Sequence, residues 1–133
     1  IGNGPLEKKL NEKVNNLNLE SCVKIINYND ELSSTITNCD IYVSSSLSES
    51  FGLSILEALY FNKKVVISKI DASKEILENQ HFEFICELDI ENYAKKIISL
   101  SKKNIDGIDK IYFNKFNSKN SINSYKKLIY SLI

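Results

Sequence analysis

Two glutamates, Glu49 and Glu57, stand on either side of a predicted helix start with seven residues between them. The polar stretch 44–50 follows the β-rich run 41–43, and apolar residues at helical spacing begin at Leu53. Carboxylates accept hydrogen bonds from hydroxyl groups such as those of a sugar, whereas the positive start of a helix suits a phosphate. A site that offers both groups to one ligand fits a nucleotide sugar.

The helix that follows the polar stretch has to position these groups. Gly52 has no side chain, so a ligand can approach the helix start closely. The backbone N–H groups of residues 51–54 have no partner within a helix that begins there. Helical side chains lean towards the N-terminus, so the carboxylate of Glu57 can reach the mouth of the loop. We expect the buried stripe of this helix to consist of Leu53, Leu56, Leu59 and Tyr60.

The run ESFGLSILEALYFNKKVV resembles the signature of retaining glycosyltransferases with the GT-B fold, most closely family four of the sequence classification. That family usually carries S-x-x-E-G-F-G-L-x-x-L-E-A-x-A-x-G-x-P-V-V, and this chain has S-x-S-E-S-F-G-L-S-I-L-E-A-L in the same place. In this chain Ser50 replaces a glycine, Phe61-Asn62 replaces a small residue and a glycine, and Lys64 replaces a proline. An alternative is that the two acids only complement the helix dipole, but the match of the surrounding residues favours the site.

The resemblance implies roles for individual residues. Glu57 would accept hydrogen bonds from the ribose diol, and Glu49 would hold hydroxyls of the donor sugar, so these two form the catalytic pair. The implied reaction is retaining transfer of a hexose from UDP, GDP or a related carrier to an acceptor hydroxyl, with no cofactor and no obligatory metal. The implied substrate-binding residues of the loop and helix start are Ser50, Phe51, Gly52, Leu53 and Ser54.

Two further segments join the pocket by the same resemblance. The family carries G-x-G-P-L near its nucleotide pocket, which implies that Gly2, Asn3 and Gly4 bind substrate. A Gly-x-Gly before a helix also suggests a dinucleotide fingerprint, but the third glycine is missing. Asn27 and Tyr28 occupy the turn that lines the base in the family, with simple edge packing as the alternative for the tyrosine.

The segment from Lys69 to Leu77 stands where the family commonly has G-G-x-x-E-I. Glu75 matches the acid of that pattern, but the two glycines are absent. Lys69 and Lys74 could assist the phosphate charge, and surface solvation is the simpler interpretation of both.

The composition argues against nucleic-acid binding and limits how the chain can bind phosphate. The 133 residues carry 17 basic and 17 acidic side chains, so no strong field attracts nucleic acid. Every basic residue is lysine, so a diphosphate would meet point charges rather than a bidentate guanidinium.

The three cysteines lack metal-binding spacing, and an odd count suits a reducing compartment. We therefore expect a cytoplasmic protein, with peripheral membrane association of the full-length enzyme left open.

Runs rich in β-branched residues alternate with amphipathic runs and short connections. This order predicts an α/β fold, a Rossmann-like parallel sheet with helices on both faces. The resemblance implies that this sheet is half of a GT-B fold. Ligands would bind at the carboxyl ends of the strands, where the motifs above are predicted to lie. Residues 22–26 are an expected strand. Residues 6–17 are an expected helix, and its expected buried stripe is Leu6, Leu10, Val14 and Leu17.

The length suits a single domain with a sizeable core. Residues 1–133 are expected to be one nucleotide-sugar-binding domain, truncated at its N-terminal edge, with the acceptor-binding N-terminal domain absent. In the resembling family that other domain holds the acceptor, which would be a sugar, a lipid or a protein. We therefore expect this chain alone to be catalytically inactive even if it binds nucleotide.

Two other functions stay open at this point. A non-catalytic nucleotide-binding or scaffold domain derived from a glycosyltransferase would explain the missing glycines and Ser50. A flavodoxin-like or receiver-like signalling domain also alternates strands and helices, but a receiver needs a phospho-acceptor aspartate at the end of a middle strand. Ser44 and Ser45 stand at that place here.

Overall fold

The computed structural model of the chain shows two compact units, Ile1–Thr35 and Ile36–Ile133. Three predictions from the sequence fall wholly or partly outside the part of the chain that it describes. The first is the turn residue Tyr28, and the second is a strand from Phe82 to Cys86. The third is a cluster before the last helix that consists of Ile111, Tyr112, Phe113 and Phe116. The residues that the structure describes are 1–27, 32–77, 84–105, 107–108, 116 and 118–130.

In the first unit, helix α1 spans Glu7–Asn16 and ends in a hydrogen-bonded cap. Asn18 takes a left-handed backbone conformation with φ of 53°. Its N–H donates to the carbonyl of Asn15 (2.9 Å), and the next N–H, of Leu19, donates to the carbonyl of Val14 (3.0 Å). This pair of bonds is a Schellman motif, in which asparagine takes the place that glycine usually occupies.

The expected buried stripe of α1 is wrong, because no residue of this helix is buried. Helical periodicity marks an apolar face but does not say what covers it, and the described part of the first unit contains no strand ladder that could do so. The exposed apolar residues in and beside the helix are Leu6, Leu10 and Leu17.

The expected strand at 22–26 is also wrong. Among the described residues, its backbone meets residues 1–4 through one hydrogen bond, from the Gly2 N–H to the Ile26 carbonyl at 2.9 Å. A strand requires a repeated ladder of such bonds, so the β-branched composition of this segment is not enough to form one.

Helix α2 (Leu32–Asn38) carries the chain from the first unit to the second. The second unit contains a parallel sheet of three strands in the order β1-β2-β3. The register pairs Ser44 with Ile67 and Ser68 with Cys86, so the strands end at a common edge. The strands are β1 (Ile41–Ser44), β2 (Lys64–Ser68) and β3 (Ile85–Cys86).

Strand β2 lies at the centre of the core, and all its residues from Val65 to Ser68 are buried. Successive side chains of a strand point to opposite faces, so this burial means that both faces of the sheet are covered. This arrangement confirms the predicted α/β Rossmann-like fold. The helices of the second unit are α3 (Leu53–Tyr60), α4 (Asp71–Leu77), α5 (Ile90–Ser101) and α6 (Ser118–Tyr130). Within the described residues, no helix has the length and apolar character needed to cross a membrane.

Helix α3 buries Leu59 as predicted, but Leu53 and Tyr60 of the predicted stripe are exposed. Its buried residues are Ile55, Ala58 and Leu59, whereas Leu53 is 67% exposed and Tyr60 is 55% exposed. The reason lies at the helix start, where the bare Cα of Gly52 packs against the side chains of Ile55 and Ile76. That contact turns the glycine side of the helix inwards. Leu53, Glu57 and Tyr60, at helical spacing on the other side, therefore stay exposed.

The departure from the family pattern at Asn62 has a structural reason. Asn62 lies just beyond α3 with φ of 58°, the left-handed conformation that glycine usually supplies. The N–H groups of Asn62 and Lys63 donate to the carbonyls of Leu59 (3.0 Å) and Ala58 (2.9 Å), which completes a Schellman motif. Asparagine tolerates this conformation better than most residues, so the helix ends as it would with glycine.

Lys64, which stands where the family has proline, helps to cap α5. Its ammonium group donates to the carbonyls of Leu100 (3.0 Å) and Lys103 (3.2 Å) at the end of that helix. At the other end, the carboxylate of Asp89 accepts the Asn92 N–H at 2.9 Å, as expected of an N-cap aspartate. Both ends of α5 thus have side-chain partners.

Candidate active site

The loop between β1 and α3 lies at the carboxyl edge of the sheet, where ligands bind in open α/β folds. It ends at Gly52, which is buried and has a left-handed φ of 78°. A Cβ at this position would stand 3.0 Å from Cδ1 of Ile76 and 3.1 Å from Cδ1 of Ile55. Both the backbone angle and the packing therefore favour glycine here.

Glu49 is held inside this loop by a serine. The Ser46 hydroxyl donates to Oε1 of Glu49 at 2.7 Å, a short bond to a charged acceptor. The hydroxyls of Ser44 and Ser46 lie 3.2 Å apart and form a further hydrogen bond. No other described residue donates to the Glu49 carboxylate, so its second oxygen can accept a hydrogen bond from a ligand.

Two residues from distant parts of the chain hold the backbone of the loop. The Ser68 hydroxyl, at the end of β2, donates to the Ser46 carbonyl at 2.6 Å and lies 3.4 Å from the Ser44 carbonyl. The Tyr93 hydroxyl, on α5, donates to the same Ser44 carbonyl at 2.9 Å. Burial raises the pKa of Tyr93, and a side-chain hydrogen bond with Ser68 opposes that rise. The loop is thus tied to both β2 and α5.

Tyr42 links the two glutamates electrostatically. Its hydroxyl donates to the Ser54 hydroxyl oxygen at 2.8 Å, in the first turn of α3. Burial raises the pKa of Tyr42 above its usual value, and the negative charges of Glu49 and Glu57 raise it further, whereas the bond to Ser54 lowers it. The charges of both carboxylates thus affect one hydroxyl, and the roles of the two glutamates in binding stay predictions.

The start of α3 offers unused donors beside these carboxylates. Gly52 is the N-cap and provides no side-chain cap, and no described residue accepts the N–H groups of residues 51–54. Their positive dipole end suits an anion. Glu57 is exposed one turn further along the helix, on the same face as Leu53. The site can therefore present an anion-binding backbone and two carboxylates to one ligand.

Phe51 and Ser50 are the remaining predicted residues of the loop. Both are exposed, and the Phe51 ring packs edge to face against Phe116, with ring centroids 5.9 Å apart. Such a contact stabilises the ring position without covering it. The two lysines considered for phosphate charge are in exposed ion pairs: Lys69 with Glu87 at 2.5 Å, and Lys74 with Asp71 at 3.0 Å.

The other predicted substrate-binding residues belong to the first unit. Gly2, Asn3 and Gly4 line a cleft of about 340 Å³ there, together with Lys24 and Ile25. Asn27 is exposed beyond that segment, and Tyr28 lies outside the described residues. The roles of these five residues stay predictions from the resemblance.

Four residues of the network around Glu49 and α3 escaped the sequence analysis as functional residues: Tyr42, Ser46, Ser68 and Tyr93. Ser46 had a detectable signal, since it stands at the serine of the S-x-x-E that opens the family pattern. Tyr93 carried none, because in the sequence it is one apolar position of an amphipathic helix. Ser68 likewise appears only as a strand end.

Comparisons with known proteins identify the family of this chain. The family model described as glycosyl transferases group 1 matches residues 1–126. A curated relative, N-acetyl-alpha-D-glucosaminyl L-malate synthase of Bacillus anthracis, is 23% identical over 140 aligned residues. The alignment covers 100% of this chain, and the chain spans 37% of the length of that relative. Since the family match extends over nearly the whole chain, the protein belongs to the glycosyl transferases group 1 family.

Proposed function

We propose that this chain binds a nucleotide-diphosphate sugar and takes part in retaining transfer of its hexose to an acceptor hydroxyl. Glu57 accepts hydrogen bonds from the ribose, and Glu49 holds hydroxyls of the sugar. The diphosphate lies against the N–H groups at the start of α3. Membership of the glycosyltransferase family supports the transferase class, and the site geometry supports the assignment of roles.

The observation that carries the proposal is the arrangement of Glu49 and Glu57 about the start of α3. Glu49 lies in the loop that leads into this helix, and Glu57 is exposed one turn inside it. Between them, the Tyr42 hydroxyl bonds Ser54 in the first turn, and the charges of both glutamates raise the pKa of Tyr42. Carboxylates repel a phosphate, so phosphate binding alone does not explain why two glutamates lie beside the helix start. The hydroxyls of the sugar and the ribose explain the two glutamates, because they donate hydrogen bonds to carboxylates while the diphosphate faces the N–H groups.

The same arrangement suits the chemistry of the transfer. When the bond between the sugar and the diphosphate breaks, negative charge grows on the leaving phosphate. Preorganised N–H donors lower the energy of that charge without having to reorient during the reaction. In the proposed mechanism, the loop therefore binds the sugar, and the start of α3 stabilises the leaving group. No step requires a metal ion or a cofactor.

The direct test is a titration of the full-length protein, followed by amide-resolved NMR, with UDP, GDP and ADP and then with their common sugar conjugates. The name of the Bacillus anthracis relative makes conjugates of N-acetylglucosamine the first sugars to try. We expect shifts at residues 51–57 for one nucleotide. Shifts at residues 2–4 and 27–28 would test the five predictions that rest on resemblance alone.

Two variants separate the proposed roles. Glu57→Gln should weaken binding of the nucleotide itself, whereas Glu49→Gln should weaken binding of the nucleotide sugar by roughly tenfold and leave the bare nucleotide unaffected. Glu91→Gln is the matched control, since Glu91 is an exposed helical acid paired with Lys95. Equal effects of all three substitutions would contradict the assignment.

A scaffold domain that no longer transfers sugar is the second candidate. It is supported by the absence of the two glycines before Glu75. The scaffold alternative predicts that the full-length protein binds nucleotide but turns over no sugar donor with any acceptor. We also propose that the acceptor binds outside this chain. Sugar transfer catalysed by residues 1–133 alone would contradict that part.

A further inference from the structure

We propose that Ser68 and Tyr93 are positioning residues that hold the loop backbone so that the Ser46 hydroxyl fixes the Glu49 carboxylate for recognition of the donor sugar. This inference rests on the proposed function, because it names the part of the ligand that the network serves. None of the three residues belongs to the motif from Glu49 to Glu57.

The first step of the argument is the burial of Ser68. Its side chain is 2% exposed at the end of β2. Burying a hydroxyl without a hydrogen bond is unfavourable, so the hydrogen bond that the Ser68 hydroxyl makes is important for the local structure. The partner is the Ser46 carbonyl at 2.6 Å, in a loop that stands 22 residues earlier in the chain. The central strand thus fixes the backbone of the residue whose side chain contacts Glu49.

The second step is the convergence of Tyr93 on the adjacent backbone. Its hydroxyl donates to the Ser44 carbonyl at 2.9 Å across 49 positions of sequence. Ser44 is the last residue of β1, so this bond holds the backbone where the chain leaves the sheet and enters the loop. Two independent elements, β2 and α5, therefore hold the loop on either side of Ser45, which is itself exposed.

The third step connects this backbone to the carboxylate. With the Ser46 carbonyl held, its hydroxyl is placed 2.7 Å from Oε1 of Glu49. One oxygen of the carboxylate is thereby occupied, and the side chain loses the freedom to rotate away. A carboxylate fixed before the ligand arrives binds with a smaller loss of conformational entropy. The consequence concerns the sugar end of the ligand and leaves the nucleotide end unchanged.

The experiment measures the affinity of the full-length protein for UDP and GDP and for the corresponding nucleotide sugars. Ser46→Ala, Ser68→Ala and Tyr93→Phe should each weaken binding of the nucleotide sugar, Ser46→Ala by roughly tenfold, with the bare nucleotide unchanged. Ser46→Thr keeps the hydroxyl and should restore the affinity. A loss that is equal for nucleotide and nucleotide sugar would overturn the proposal, as would unchanged affinity for both.

Matched controls separate positioning from general damage to the fold. Ser73→Ala also removes a fully buried hydroxyl. Among the described residues, that hydroxyl bonds only the backbone N–H and carbonyl of Ile70, the residue just before α4. Tyr130→Phe removes an exposed tyrosine hydroxyl from α6. Neither substitution should change the ratio between the two affinities. A change in that ratio caused by Ser73→Ala would show that lost stability alone explains the effect.

A readout without ligand distinguishes failure of this inference from failure of the proposed function. Three-bond couplings that report the side-chain torsion of Glu49 should show one rotamer in the wild type and a mixture in Ser46→Ala and Ser68→Ala. If no nucleotide binds but the couplings behave in this way, the proposed function fails and the positioning role stands. Averaged couplings in the wild type would overturn the positioning role whatever the ligand does.

Discussion

The side-chain carbonyl of Asn62 accepts the backbone N–H of Ile108 at 2.9 Å, 46 positions later in the chain. Asn62 ends α3 in the left-handed conformation, and Ile108 is a fully buried core residue. One asparagine therefore does two things that glycine, the usual residue of the family pattern, cannot combine. It completes the cap of the helix, and it anchors a remote segment of backbone to the end of that helix.

Substitutions of Asn62 should separate these two contributions. Asn62→Ala loses the bond and keeps an unfavourable backbone angle, so we expect a loss of about 2 kcal/mol in the free energy of unfolding. Asn62→Gly loses only the bond, and the loss should be about 1 kcal/mol or less. Denaturant unfolding measures both losses, and hydrogen exchange at the Ile108 amide should accelerate in both variants. Unchanged protection of that amide would contradict the anchor.

Two glycines with the same backbone angle allow the packing at Gly52 to be measured. Gly52 and Gly107 have φ of 78° and 77°, but an added Cβ meets Ile76 and Ile55 at the first and open space at the second. Gly107→Ala should therefore cost about 1 kcal/mol of stability, from the backbone angle alone. Gly52→Ala should cost about 1–3 kcal/mol more, because the buried isoleucines must move. Equal losses in thermal unfolding would show that the isoleucines move freely.

Local sequence signals predicted the elements that carry the site. The β-rich run 41–43 and the helical spacing from Leu53 onwards are local patterns, and the structure has β1 and α3 at those places. The cap that Asp89 provides for α5 is likewise local, because a cap acts within one turn. Short-range periodicity and capping therefore sufficed for the order of these elements and for the position of the loop.

The inward face of α3 and the support of the loop could not be predicted in this way. The face of α3 that is buried depends on the packing of Gly52 against Ile76, which stands 24 positions later in the chain. Neither residue type indicates which distant residue it will contact. The bonds from Ser68 and Tyr93 to the loop likewise join distant elements. Serine and tyrosine occur at so many strand ends and helix faces that their type alone carries no such information.

Lys64 provides a test of the cap on α5. Lys64→Met keeps the length and apolar character of the side chain but loses the two bonds to the carbonyls of Leu100 and Lys103. We expect a loss of about 1 kcal/mol in the free energy of unfolding, since the ammonium also faces the negative end of the helix. Lys102→Met, at an exposed position beside the same helix end, should change it by less than about 0.5 kcal/mol. Equal values for both variants in denaturant unfolding would contradict the cap.

The raised pKa of Tyr42 should make stability fall at alkaline pH. Burial is the main cause of the rise, followed by the charges of Glu49 and Glu57, so the folded state holds the phenolic proton more tightly than the unfolded state. The resulting stability is fully present below the unfolded pKa of about 10 and is lost as pH rises through the folded pKa. Tyr42→Phe cannot titrate, so its stability should fall less steeply above pH 10.

The neutral-pH behaviour of the same variant supplies an internal check. Tyr42→Phe loses the bond to Ser54, so at pH 7 it should be about 1 kcal/mol less stable than the wild type. The stability curves of the two proteins should therefore converge as the pH is raised above 10. Tyr130→Phe, at an exposed site on α6, is the control and should follow the wild type at every pH. Parallel curves for Tyr42→Phe and the wild type would mean that the Tyr42 hydroxyl is not protected by its surroundings in the folded protein.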